Sequence, residues 1–134
     1  MLRNLSLLAA GCLLLDSCTK HDANPAASLE GNWVVQSRTD YYNPPSNDPT
    51  QITGPIPMVG KYRLVITADS MVGFETYAAG EFRSFVYAYT RQGMTLTNSR
   101  TNEKIEIKEL SAHTLTVFFK GPGTSWNYDY AYAR

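Results

Sequence analysis

Short runs in which polar and apolar residues alternate dominate this sequence from residue 31 to residue 134. In the clearest run, 104–109, the apolar Ile105 and Ile107 alternate with Lys104, Glu106 and Lys108. Alternation with a period of two is typical of a strand that buries one face and exposes the other. No stretch of a dozen residues has apolar positions at helical spacing. The sequence therefore predicts an all-β fold.

Eight β-rich runs are predicted as strands, and hairpin-length turns connect all of them except the first pair. The runs are 32–38, 62–67, 71–77, 82–90, 94–98, 104–109, 114–120 and 126–133. Closely spaced strands with short links are typical of an antiparallel meander that forms a barrel or a sandwich. Of these two, we predict an eight-stranded antiparallel up-and-down barrel.

The segment 43–59 separates the first two predicted strands and holds five of the seven prolines. Proline has no N–H to donate to a sheet, so this segment cannot be a central strand. Because it is long for a loop, we expect it to lie over one mouth of the barrel as a lid or a docking surface.

The first residues have the pattern of an export signal. Arg3 precedes an uncharged apolar run over 5–15, which as a helix would cover roughly half of the ~30 Å hydrocarbon layer. The run ends in Leu15-Asp16-Ser17-Cys18, which resembles the bacterial lipobox. This resemblance implies a lipoprotein signal peptide over 1–17, acylation of Cys18 and an anchor in the bacterial outer membrane. Two alternatives are modification at Cys12 and an ordinary cleaved signal peptide.

Residues 18–28 contain no large apolar residue and are predicted to be a flexible tether, which leaves 29–134 for the folded domain. Twelve Lys and Arg balance twelve Asp and Glu. A chain without excess positive charge is poorly suited to neutralise phosphates, so we expect no nucleic-acid partner. With Cys12 removed and Cys18 acylated, no thiol remains to form a disulfide. The sequence does not indicate an oligomeric state.

The start of the domain, Gly31-Asn32-Trp33, is similar to the Gly-x-Trp motif that opens the first strand of lipocalins. The resemblance implies a lipocalin-like barrel, in which Gly31 lets the backbone bend and Trp33 closes one end. In lipocalins a late Arg packs across that Trp, and Arg134 is the only candidate beyond the last predicted strand. The triplet Thr39-Asp40-Tyr41 follows the first predicted strand, whereas the similar lipocalin motif comes late, and we treat it as a coincidence.

No convergent set of acid, base and nucleophile is visible in the sequence, so we expect no catalytic residues. His21 lies in the predicted tether and His113 in a turn, and each is expected to be solvated. Two distant histidines without a free thiol offer poor spacing for a metal, and no cofactor is expected either. An enzyme that uses tyrosines and carboxylates at the barrel mouth remains a minor alternative.

The tyrosine-rich strand faces are the most suggestive functional feature, because tyrosine combines a flat apolar ring with a hydroxyl that can orient a ligand. The simpler alternative is that these rings only fill the core. The residues that we expect to line the interior are Phe74, Phe85, Tyr87, Leu96, Val117, Tyr128 and Tyr130. The main functional hypothesis is a membrane-anchored, non-enzymatic binder of a small hydrophobic or amphipathic molecule. The alternative is a filled barrel that docks an envelope protein or glycan through the proline-rich loop.

Overall fold

A computed structural model describes residues 27–46, 48–121, 123 and 125–134. The predicted signal peptide, Cys18 and most of the predicted tether lie outside the described residues. The regular secondary structure in these ranges consists of β-strands: β1 (Gly31–Tyr42), β2 (Gln51–Pro57), β3 (Tyr62–Ile66), β4 (Ser70–Tyr77), β5 (Gly80–Gln92), β6 (Thr95–Asn98), β7 (Lys104–Leu110), β8 (Thr114–Lys120) and β9 (Trp126–Ala133). Across the same ranges, no helix has the length and apolar character needed to cross a membrane.

The strands form one antiparallel sheet in which β3 to β9 follow each other in chain order and β9 pairs back onto β1. β2 and β3 lie one after the other along the same edge of β1. The first part of β1 pairs Gly31 with Ile66, while its last part pairs Tyr42 with Gln51. Eight strand positions therefore surround the barrel axis. The predicted eight-stranded antiparallel up-and-down, lipocalin-like barrel is confirmed.

Two predictions at the start of the domain were wrong in detail. The segment 43–59 is not a loop throughout, because it contains β2. Its prolines fit there since β2 pairs with β1 on one edge only, so its other edge needs no donors. β1 also runs to Tyr42 rather than ending at residue 38, and the Thr39-Asp40-Tyr41 triplet lies inside this strand.

Alternation along the strands directs the apolar side chains into the barrel. On β7, Ile105 and Ile107 are buried, whereas Lys104, Glu106 and Lys108 are exposed, as the sequence predicts. The side chains with the least exposure form one core, which includes Trp33, Val35, Leu64, Met71, Leu96, Ile107, Leu115 and Val117. The core therefore joins β1 and β3 to β9, while β2 contributes no residue to it.

One end of the barrel is closed by Trp33, which is completely buried. Its indole Nε1 donates a 2.8 Å hydrogen bond to the Leu29 carbonyl oxygen. The Arg134 guanidinium lies 4.2 Å from the centre of the indole ring and donates to the Glu30 carbonyl at 2.7 Å. Gly31 has a φ of +140°, and a Cβ there would lie 3.0 Å from Nη1 of Arg134. Gly31 thus leaves room for the arginine that covers Trp33.

Candidate functional site

A cavity of about 280 Å³ opens at the end of the barrel opposite Trp33. Its wall is largely aromatic because three consecutive inward positions of β9 are tyrosines that pair with inward positions of β8. Tyr132 lies opposite Leu115, Tyr130 opposite Val117 and Tyr128 opposite Phe119. The lining residues are Tyr62, Arg63, Leu64, Gly73, Phe74, Glu75, Ser84, Phe85, Phe119, Lys120, Gly121, Tyr128, Tyr130 and Tyr132.

Tyr62, Tyr130 and Tyr132, which we call the tyrosine cluster, lie side by side in this wall. The ring centre of Tyr130 is 6.2 Å from that of Tyr62 and 6.2 Å from that of Tyr132. Tyr132 is only 5% exposed. Burial raises its pKa well above the usual range, and the neighbouring hydroxyls of Tyr130 and Tyr62 raise it further. The Tyr132 phenol is therefore neutral and keeps its donor hydrogen.

An ion pair between Arg38 and Asp40 lies next to the tyrosine cluster on β1. Arg38 donates to both carboxylate oxygens of Asp40, from Nε at 2.6 Å and from Nη2 at 2.9 Å. Arg38 is paired with Tyr130 in the sheet, and its guanidinium lies 5.4 Å from the ring centre of Tyr128. Burial lowers the pKa of Arg38, but the interactions with Asp40 and Tyr130 outweigh that effect and raise it. The two charges neutralise each other beside the tyrosine cluster, although neither residue lines the cavity.

The barrel wall has an opening beside the cavity. Residues 80–88 of β5 pair only with β4, because the short β6 pairs with β5 beyond that point. A recess of about 270 Å³ fills the gap between β5 and the start of β7. Phe85, Phe119 and Lys120 line both this recess and the cavity. The cavity therefore has a side boundary made of two aromatic rings and a lysine rather than of paired backbone.

Gly73 on β4 leaves the space that the Phe85 ring occupies. The two residues are paired across the β4–β5 ladder, and a Cβ at residue 73 would overlap the ring of Phe85. An aromatic ring that covers a glycine on the neighbouring strand is a known way of completing a sheet surface. Any side chain at residue 73 would push this ring out of position.

The structure brings some of the predicted lining residues together and separates others. Phe74, Phe85, Tyr128 and Tyr130 line the cavity, and the ring of Phe74 lies 4.3 Å below the guanidinium of Arg63. The other three are elsewhere: Tyr87 lines the side recess, while Leu96 and Val117 are fully buried in the core. The proline-rich segment supplies none of the described lining residues.

Sequence reasoning missed several residues of the site. Tyr62, Phe119 and Tyr132 alternate with polar or less buried neighbours, so the period of two could have placed them inside. The sequence did not indicate that Arg38 and Asp40 face inward, because charged residues on a strand are ordinarily assigned to its solvent-exposed face. Among the described residues, no cluster of three or more His, Cys, Asp and Glu side chains is placed to hold a metal ion.

Comparisons with known proteins add no functional assignment to this geometry. Neither the scan of protein-family models nor the search of curated proteins found a match to this chain.

Proposed function

We propose that this protein is a bacterial lipoprotein, anchored in the outer membrane through acylated Cys18, whose barrel binds a small hydrophobic or amphipathic molecule without chemical conversion. The observation that carries the binding proposal is the open, aromatic-lined cavity at the barrel mouth. Its lining combines large apolar rings with a few polar groups, which is the usual composition of a small-molecule site.

The volume of the cavity limits the size of the ligand. At about 280 Å³, it lies at the lower edge of the roughly 300–1,000 Å³ that is usual for ligand pockets. A cavity of about 150 Å³ is enough to bind benzene. A molecule of two fused rings therefore matches the space better than a long acyl chain does.

Binding can be tested with naphthalene-sized probes and the intact acylated protein in lipid nanodiscs, with empty nanodiscs as the blank. Equilibrium dialysis should show one probe per chain at saturation. Glu75 lies at the cavity rim opposite Tyr62, so Glu75→Trp should fill the mouth and weaken binding at least tenfold. The adjacent Thr76 is exposed and outside the lining, so Thr76→Trp is the matched control and should bind normally. Equal binding by both variants, or no binding above the blank, would contradict the proposal.

The anchor is supported by the sequence around Cys18 and can be tested separately. Cells that express the intact chain are grown with a labelled fatty acid, and the label on the protein is measured. The wild type and Cys12→Ala should carry label, whereas Cys18→Ala should carry none. Loss of label from Cys12→Ala with full label on Cys18→Ala would move the anchor to the other cysteine.

A second candidate function is docking of an envelope protein through the proline-rich segment. It is favoured by two side chains in this segment, Ile52 and Val59, which are 65% and 66% exposed. A photo-crosslinking residue at Ile52 should then capture one discrete partner in whole cells, while the same residue at the exposed Thr101 should not. Identical crosslinking patterns at both positions would argue against docking through this segment.

A further inference from the structure

The exposed aromatic side chains of the barrel lie in its open half. Among the described residues, the four that are most exposed are Tyr77, Phe82, Phe85 and Trp126. They lie on the β4–β5 hairpin, on the adjoining part of β5 and at the start of β9, all away from the closed end at Trp33. Exposed apolar side chains that cluster on one part of a protein mark an interaction surface.

Most of these rings belong to two pairs that lie on different sides of the mouth. Tyr77 and Phe82 have ring centres 6.0 Å apart on the β4–β5 hairpin. Tyr42 and Trp126 have ring centres 4.7 Å apart where the end of β1 pairs with the start of β9. We call these four residues the aromatic rim. Because tyrosine and tryptophan combine an apolar body with a polar edge, they are the side chains that prefer the headgroup region of a bilayer.

The gap beside β5 extends this apolar surface from the rim to the cavity. Val86 is 54% exposed and lines the recess in the gap together with Phe119 and Lys120. Lys120 pairs with Asn127, next to Trp126, and forms no ion pair among the described residues. A lysine beside exposed rings can keep its stem on apolar surface while its ammonium meets phosphate headgroups.

The position and length of the predicted tether bring the rim within reach of a bilayer. The domain begins at the closed end, where the buried Leu29 accepts the hydrogen bond from Trp33. From residue 18 to residue 29 the chain makes eleven steps, which reach about 36–40 Å when fully extended. β1 has 12 residues, and a strand of that length, tilted as in a barrel, rises roughly 30 Å along the axis. An anchor at Cys18 therefore allows the mouth to meet the bilayer.

Resting on the proposed acyl anchor, we propose that the aromatic rim and the gap beside β5 lie against the phospholipid bilayer. The anchor holds the rim close to the lipid surface at a high effective concentration, so a shallow contact by a few rings is sufficient. The mouth then opens into the headgroup region. A hydrophobic ligand passes between the bilayer and the cavity without crossing water.

The two tryptophans of the chain test this orientation, because Trp33 is fully buried at the closed end and Trp126 lies on the rim. The intact acylated protein is reconstituted in phosphatidylcholine vesicles whose acyl chains carry bromine, which quenches tryptophan emission on contact. Unbrominated vesicles are the blank, and flotation selects the protein that is bound to vesicles. We expect the wild type to lose about a third of its emission, and Trp126→Phe, in which Trp33 alone emits, to lose almost none.

A double substitution of the exposed hairpin pair, Tyr77→Ser with Phe82→Ser, should reduce the quenching of Trp126 at least about twofold. Val34 is 37% exposed on β1 near the closed end, so Val34→Ser is the matched control and should leave the quenching unchanged. Unchanged quenching in the hairpin variant would overturn the inference.

Quenching of Trp33 in Trp126→Phe would place the closed end on the bilayer and would also overturn it. The same holds if the wild type floats with the vesicles but shows no quenching, and in that case the acyl anchor stands. Protein that does not float with the vesicles would contradict the anchor of the proposed function, and this inference with it.

Discussion

At the scale of single residues, the closed end depends on a three-part contact between Gly31, Trp33 and Arg134. The guanidinium is held over the indole by hydrogen bonds to the carbonyl oxygens of Ala112 and Glu30. A lysine has neither the planar face nor the forked donors to reproduce this arrangement. The Arg134 side chain therefore ties the chain after β9 both to the residue before β1 and to the turn before β8.

Substitutions at this contact should show energetic coupling. We expect Arg134→Ala to lower the free energy of unfolding by about 1–2 kcal/mol through loss of the cation–π contact and two hydrogen bonds. Gly31→Ala should cost at least about 1 kcal/mol, because φ is +140° and an alanine is strained there. Urea unfolding of the double variant should give a loss smaller than the sum, since the clash with Nη1 of Arg134 is gone. Strict additivity would mean that Gly31 and Arg134 do not contact each other.

Tyr132 predicts a specific dependence of stability on pH. Its pKa is raised above the ordinary 10.0 by burial first, so the folded protein holds this proton more tightly than the unfolded chain. The stabilisation is complete below about pH 10 and decreases as the pH rises further. Tyr132→Phe should therefore reduce the alkaline slope of the unfolding free energy by up to about 1.4 kcal/mol per pH unit. An unchanged slope above pH 10 would show that Tyr132 is not buried as described.

The ion pair in the barrel wall predicts an asymmetry between single and double substitutions. Asp40→Asn should destabilise the protein by about 1–3 kcal/mol, because it leaves the half-buried Arg38 without its bidentate partner. Replacing both residues, as in Arg38→Met with Asp40→Leu, should cost less than the single change. Thermal unfolding of the wild type, Asp40→Asn and the double variant measures these stabilities. A double variant less stable than Asp40→Asn would contradict the prediction.

At the scale of elements, β5 differs from the other barrel strands because most of its length, residues 80–88, pairs only with β4. Its apolar side chains Phe82 and Val86 are 52% and 54% exposed. In contrast, β8 lies between β7 and β9 along most of its length, and Leu115 and Val117 are fully buried. Local stability should therefore differ greatly between these two strands.

Amide hydrogen exchange measures that difference directly. Amides of Leu115 and Val117 should be among the slowest to exchange, because opening them requires disruption of the core. Amides of 80–86 that point away from β4 should exchange fastest within the barrel strands. Equal protection along both edges of β5 would mean that another strand, from this chain or from a second copy, covers the free edge.

Alternation with a period of two predicts which strand positions face inward, and the sequence predicts little of the structure beyond that. The inward positions of β7, β8 and β9 follow directly from alternation, as Ile105, Val117 and Tyr130 show. Alternation does not state where a strand lacks a neighbour, so neither the edge strand β2 nor the gap beside β5 could be predicted. The charged pair of Arg38 and Asp40 follows a β-bulge between Val35 and Ser37, which shifts the facing of the strand in a way the residue pattern does not reveal.

At the scale of the whole molecule, the barrel is divided into a packed end and an open end. Trp33 and the apolar core fill the packed end, which supplies most of the burial that stabilises the fold. The open end holds the aromatic rings, the neutral ion pair and the cavity of about 280 Å³. This division allows the mouth to bind a molecule without loss of the core.

The central claim is that a small planar molecule occupies the cavity at the barrel mouth. Intermolecular nuclear Overhauser effects between 2-acetylnaphthalene and the isotope-labelled intact protein test it most directly. We predict contacts from the probe to the ring protons of Tyr62, Phe119 and Tyr132, which line the cavity, and none to the exposed rings of Tyr77 and Phe82. Contacts confined to those exposed rings would contradict the account and place the probe on the outer surface.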